Sequence, residues 1–341
     1  MDEIARLEGL SDATSSALRG STAGPLADRL VAGVRAAPED SQPNELFQLP
    51  PLPNLLFSRD AQVVLGNGMI LSAMSRRARR REPILSRFIL QHHPRFEGVP
   101  LLLDLSRQHT GSHGHPNVPP TLEGGDVLVF HEGIVIVGIS ERTMEPAVNL
   151  LVERLRPLDA FHTLFMVPLP NARSAMHLDT IFTRVSREEC LVHAPMVLPG
   201  HHKTLTVVRL DLRRDDDWGT RRPSLLGALA EVGVSLEPIC CGGTEDYIRQ
   251  SREQWTDGAN SFAIAPGVVM TYSRNVDTAE EFARKGYKVL SAAAMPFGSE
   301  GECLQEFQPA RKYVILVAGE ELSRARGGPR CMTMPLLRDT V

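Results

Sequence analysis

The rhythm of apolar and polar positions changes near residue 47. Before it, segments such as PLADRLVAGVRAAP repeat apolar residues at helical spacing amid Ala and Arg, and SDATSS, GSTAG and EDSQPN interrupt the pattern. The spacing predicts two short helices and a linker over residues 1–46 and a separate domain over residues 47–341. From LPPLPN onward, short apolar β-runs alternate with amphipathic helices. AQVVLGNGMILSA reads as two strands joined at Gly-Asn-Gly. DVLVFHEGIVIVGIS followed by ERTMEPAVNLLVERLRP repeats the grammar, as does FAIAPGVVMTYSRN followed by TAEEFARKGYKVL. Hairpin, helix and strand recur as units that bury their faces only against one another, which predicts an α/β propeller-like array. A doubly wound parallel sheet competes, but it calls for single strands between helices rather than repeated tight hairpins.

Composition narrows the partners. With 42% hydrophobic residues in 341, the chain can build one large core or two modest ones. Its 37 basic and 41 acidic residues nearly balance, so no whole-chain field favours nucleic acid or an anionic membrane. A small-molecule ligand fits better. No apolar run reaches signal-peptide or membrane-span length, and a cytoplasmic location is expected. The five cysteines, Cys190, Cys240, Cys241, Cys303 and Cys331, form no zinc-knuckle spacing and favour a reactive thiol over structural disulfides.

The reactive candidate is Cys331. In SRARGGPRCMTMPLL it follows a glycine pair among Arg324, Arg326 and Arg330, and neighbouring positive charge favours thiolate over thiol. Most cysteines are small buried hydrophobes, and the other four keep that reading. In SAMHLDTIFT, His177 precedes Asp179 by two residues, and on a strand both would face one side as acid/base and cation anchor. TLEGGDVLVF supplies Glu123 and Asp126, and PLPNLLFSRD supplies Asn54, Arg59 and Asp60, all in loops at strand starts. Ordinary alternatives are that Asp126 bonds its own turn, Arg59 is solvated and Asn54 ends a Pro-rich turn. SRRARRR (75–81) reads as a solvated helix start with one functional arginine, because it lacks interleaved aromatics. The loop HTGSHGH (His109, His113, His115) has no carboxylate or cysteine set nearby, so no metal is assigned.

Taken together, PLPNLLFSRD, ARRRE, LEGGDVLVFHEGIVIVGISERT, MHLDTIFT, EQWTDGANSFAIAPGVVMTYSRN and ARGGPRCMTMPL resemble, in order from about Phe47 to the C-terminus, the arginine deiminases of the guanidino-group-modifying superfamily. The resemblance implies a pseudo-fivefold α/β propeller (pentein) of ββαβ modules and Cys331 as nucleophile. It implies His177 as acid/base, Glu123 as its carboxylate partner, and Asp60 and Asp179 gripping a guanidinium. Arg79, Arg142 and Asn54 would hold the substrate carboxylate, and Arg326 matches an arginine near the closing loop. The implied reaction hydrolyses L-arginine to citrulline and ammonia through a covalent thiouronium on Cys331, without metal or organic cofactor.

The chain also departs from that family. It begins within something like the helical insertion, so the first module is expected to be missing, leaving a helical remnant over residues 1–46 and making a homo-oligomer attractive. The longer loop MPFGSEGECLQEFQPARKY is expected to remodel the entrance to the site. Two other functions stand beside the leading one: hydrolysis of another guanidino compound, and a non-catalytic guanidinium-binding or assembly protein. Cys331-dependent turnover discriminates the last from the first two.

Overall fold

The computed structural model describes residues 1–36, 46–107, 120–130, 132–295, 308 and 311–337. The histidine loop containing His109, His113 and His115, all of EDSQPN, and most of the MPFGSEGECLQEFQPARKY loop with Cys303 lie outside the described residues.

Three short helices open the chain: α1 (Asp2–Glu8), α2 (Asp12–Arg19) and α3 (Ala23–Ala32). Two were expected. The polar run SDATSS starts α2 instead of ending a helix, because the Ser11 side chain accepts the Thr14 N–H and Asp12 sits in the positive first turn. Strands β1 (Val34–Arg35) and β2 (Phe47–Leu49) pair antiparallel, and Ile4, Leu18, Leu30 and Leu49 close a small core between helices and ribbon.

Four units follow with one grammar. The first is β3 (Gln62–Leu65), β4 (Gly68–Leu71), α4 (Glu82–His92) and β5 (Leu101–Asp104); the second is β6 (Val127–Phe130), β7 (Ile134–Ile139), α5 (Glu145–Leu155) and β8 (Thr163–Pro168). The third has β9 (Phe182–Arg184), β10 (Glu189–Val192) and α6 (Ala194–Val197), then β11 (Val207–Asp211) and β12 (Thr220–Arg222), then α7 (Leu225–Ala230) and β13 (Glu237–Cys240). After α8 (Tyr247–Trp255) comes the fourth: β14 (Phe262–Ala265), β15 (Val268–Tyr272), α9 (Val276–Arg284), β16 (Lys288–Ser291) and β17 (Tyr313–Val317). In each unit the first two strands are an antiparallel hairpin and a later strand runs parallel to the second: β4 with β5, β7 with β8, β10 with β13, β15 with β17. The strand expected directly after α9 is β16, which reaches the hairpin only through β17. Strands β11 and β12 extend the second unit's sheet to five.

The hairpin strands β3, β4 and β10 are buried on both faces, so they read as apolar runs rather than alternating ones. Consecutive units share their cores. Val63, Ile70, Val135 and Leu151 pack together between the first and second units. Phe130, Phe165, Phe182 and Val192 do so between the second and third, and Leu191, Ile239, Val269 and Val314 between the third and fourth. No described helix is long and apolar enough to cross a membrane.

Candidate active site

Each unit contributes side chains from the loop just ahead of its first strand: Asp60 before β3, Glu123 before β6, His177 and Asp179 before β9, and Asn260 before β14. Cys331 arrives on the segment after β17. The fold therefore gathers residues far apart in sequence by repeating one entrance geometry.

The predicted strand over His177 and Asp179 is instead a 3₁₀ turn, Leu178–Thr180, entered from an extended His177. Strand alternation therefore does not set where these two side chains lie. His177 Nε2 bonds Glu123 Oε2 at 2.9 Å, and Nδ1 lies 3.8 Å from Asp60 Oδ1. Glu123 is fixed in turn, its other oxygen accepting the Ser75 N–H at 3.0 Å. Burial opposes charge on His177, but Asp60, the Glu123 bond and Asp126 outweigh it and push the imidazole up to about 10. Protonation is then favoured in the folded state. That stabilisation is complete below 6.5, the ordinary imidazole value, and is lost as pH rises through about 10. Thermal unfolding scans should show stability falling across this window by on the order of a few kcal/mol, and the fall should flatten in His177→Gln.

Asp60 is held below the usual carboxylate range: burial raises it, but His177, Arg79 and Arg142 prevail. Arg79 Nη1 donates to Asp60 Oδ2 at 2.5 Å, while its other donors reach Glu82 at 2.8 and 2.9 Å and the Phe57 carbonyl at 3.2 Å. Arg142 donates to Glu141 Oε1 at 2.9 Å and lies 3.6 Å from Glu123 Oε2. Arg330 Nη1 donates to Asp179 Oδ2, the same oxygen that lies 4.0 Å from Cys331 Sγ. Asp60 and Asp179 thus each spend one oxygen on an internal arginine. Asp60 Oδ1 and Asp179 Oδ1 are buried and have no hydrogen-bond partner.

The arginines around Cys331 do not prevail as expected. Burial, then Asp179, Asp60 and Asp257, drive the thiol well above its ordinary value against the pull of Arg330. Arg324 instead pairs with Glu321 at 3.3 Å, and Arg326 lies over the Trp255 ring at 4.1 Å, donating to the Trp255 carbonyl at 2.7 Å. Asn54 is half-buried in the preceding turn, where its carbonyl accepts the Phe57 N–H at 2.9 Å.

Three ordinary readings of the sequence need correction. Arg59 is buried, not solvated, and its guanidinium donates to the Arg330 carbonyl at 3.2 Å and to Thr333 Oγ1 at 2.9 Å. Asp126 reaches beyond its own turn, accepting the Leu178 N–H at 2.9 Å and the Ser140 hydroxyl at 2.6 Å. In the basic run, Arg79 and Arg81 are buried, and α4 starts only at Glu82. Burial of these cations follows from ion pairing: Arg79 with Glu82 three residues on and with Asp60, and Arg81 with Glu8, the last two partners lying too far along the chain for a local pattern to reveal. The second glycine of LEGGD also has a spatial reason. A Cβ on Gly125 would stand 2.6 Å from His177 Nδ1 and 3.0 Å from Asp60 Oδ1. Gly125→Ala is expected to lower turnover about 100-fold by displacing the imidazole, measurable as kcat in a folded variant.

The sequence model of the arginine deiminase family matches residues 33–338. An arginine deiminase of Staphylococcus haemolyticus is 34% identical over 328 residues, covering 93% of this chain and 72% of its own. An arginine deiminase of Listeria welshimeri is 40% identical over 298 residues, covering 86% of this chain and 64% of its own. Among solved structures, the N-terminal domain of ArgZ covalently bound to a reaction intermediate aligns with a TM-score of 0.51 at 15% identity, covering 86% of this chain and 79% of that one. ArgZ is described as an arginine dihydrolase in Cyanobacteria. At that identity the likeness is one of fold alone.

Proposed function

The chain belongs to the arginine deiminase family, and on that premise we propose that it hydrolyses L-arginine to L-citrulline and ammonia, with Cys331 as nucleophile. The observation that carries the site assignment is the pair of buried, unpartnered oxygens, Asp60 Oδ1 and Asp179 Oδ1, in the same closed cluster as the thiol and His177. A planar guanidinium with N–H donors on both edges satisfies them.

Its charge also sets the order of events. Without a bound cation, burial and carboxylates keep Cys331 protonated; a cation between Asp60 and Asp179 offsets their charge and favours release of the thiol proton to solvent. The thiolate attacks the guanidinium carbon. The C–N bond breaks as His177, protonated at neutral pH and held by Glu123, gives its proton to the departing ammonia. Neutral His177 then takes a proton from water, whose oxygen attacks the thiouronium carbon. Collapse breaks the C–S bond as the hydroxyl proton passes to the leaving sulfur, giving the citrulline carbonyl and the neutral Cys331 thiol. The assay is appearance of citrulline and ammonia in equal amounts from L-arginine; their absence with purified protein sinks this reading.

Arg142, Arg79 and Asn54 are proposed to recognise the substrate carboxylate, with Arg326 near the loop that closes the site. The internal bonds of Arg79 favour a second reading, in which another guanidino compound is the better substrate. Comparing L-arginine with agmatine, which lacks the carboxylate, separates them. The first reading expects kcat/KM at least about 10-fold higher for L-arginine, the loss of a charge-assisted contact.

The four shared-core units support an α/β propeller with pseudo-fivefold symmetry for residues 47–341, with residues 1–46 as a helical segment and linker. Ion pairs of Glu8 with Arg81 and Glu3 with Arg87 tie the segment to the first unit.

A further inference from the structure

The carboxamide of Asn260 lies between two parts of the site. Its Oδ1 accepts the Cys331 backbone N–H at 3.2 Å, and its Nδ2 donates to the Asp179 backbone carbonyl at 3.3 Å. Asn260 is fully buried, and its own carbonyl accepts the Arg330 N–H at 3.5 Å. A Cβ on Gly328 would lie 2.4 Å from the Asn260 carbonyl oxygen and 2.6 Å from Oδ1. The second glycine before Cys331 therefore lets the nucleophile segment close onto this amide. On its other side, the Cys331 carbonyl accepts the Arg59 N–H at 3.1 Å. The nucleophile's peptide is gripped at its N–H by the fourth unit and at its carbonyl by the first, and only the Asn260 grip also holds Asp179.

Resting on the assignment of Cys331 and Asp179 above, we propose that Asn260 is a positioning residue, one two-ended amide that fixes the thiol relative to the guanidinium anchor. A buried asparagine with both ends bonded often serves folding alone. Here both ends terminate on the backbones of the two residues whose spacing governs attack on a bound cation. Loosening the brace has opposite effects on two reactions. The thiol moves away from Asp179 and becomes more open to a small alkylating agent, while its aim at a guanidinium carbon held by Asp179 is lost. The charged or titratable groups facing that thiol include Asp60, Asp179, Asp257, Arg326, Arg330 and Tyr272.

The test compares Asn260→Ala, Asn260→Asp and Gly328→Ala with wild type. Steady-state kinetics on L-arginine is paired with the pH dependence of Cys331 carbamidomethylation by iodoacetamide, read by intact and peptide mass with Cys331→Ala as blank. For Asn260→Ala, kcat should fall about 100-fold with KM within about threefold. Alkylation at neutral pH should quicken about fivefold, with its midpoint about one pH unit lower. Gly328→Ala should reproduce both changes by pushing the amide aside while leaving it in the chain. Asn260→Asp, of the same shape, secures a folded variant; it keeps the acceptor for Cys331 but loses the donor to Asp179, so kcat should still fall. An alkylation midpoint within about 0.2 units of wild type in folded Asn260→Ala and Gly328→Ala overturns the proposal, even if kcat falls, because a purely structural defect lowers rates only with the folded fraction. Failure of wild type to release citrulline would sink the deiminase reading separately, since alkylation needs no substrate.

Discussion

Cys331→Ala is expected to abolish citrulline release, lowering kcat by about 10⁴-fold or more, while L-arginine still binds. The size of the effect follows from chemistry that no neighbour can replace. His177, Asp60 and Asp179 can hold and polarise a guanidinium, but without sulfur no covalent thiouronium forms, and water must attack a resonance-stabilised cation directly. Binding should survive because the anchoring oxygens belong to the strand-entry loops before β3 and β9, not to the segment that carries Cys331. The fold should survive as well. Cys331 is a buried residue whose thiol favours the neutral form, so truncation costs about 1 kcal/mol in lost packing. Ammonia release and calorimetric titration with L-arginine check the two halves, and retained turnover would remove Cys331 from the reaction.

Asp179→Asn should combine a large catalytic loss with an easier-to-ionise thiol. The variant keeps an oxygen for hydrogen bonding but removes a buried charge from the face that receives the cation. A fall in kcat/KM of about 100- to 1000-fold is expected. Arg330 loses its ionised partner at a site where Asp179 is fully buried, so stability should drop by about 2 kcal/mol or more, visible in urea unfolding. After burial itself, the Asp179 charge is the largest influence raising the Cys331 thiol. Its removal should therefore move the alkylation midpoint to lower pH while turnover falls. A variant with unchanged kinetics would refute the anchoring role.

These expectations rest on residues that local pattern exposed unevenly. The glycine-rich run before Cys331 and the His177/Asp179 pair in a short polar break are conspicuous in sequence, because reactive side chains must sit in loops that let backbone approach closely. The hairpin, helix and strand recurrence was legible too, since tight turns and buried apolar runs leave a local pattern. The N-terminal helices were less so: a polar stretch can cap a helix or end one, and Ser11 does the former.

What stayed hidden is the ionic wiring. Arg59 looked solvated, yet it clamps a segment 271 positions away. Arg330 does pull the thiol down, but it also pairs with Asp179, 151 positions away, whose charge raises the thiol by more. Asn260 stood inside a recognisable motif without a role, because its two partners lie far away along the chain, Asp179 ahead of β9 and Cys331 on the segment after β17.

By itself, then, the sequence determined the repeating units, Cys331 as the candidate nucleophile and the resemblance to arginine deiminases, all of which depend on residue types at short spacing. Only the tertiary structure decided that the Cys331 thiol is held protonated rather than ionised, and that Asp60 and Asp179 each pair with an internal arginine. Those outcomes are set by burial and by charges brought within a few ångströms across hundreds of residues, quantities that have no signature along the chain.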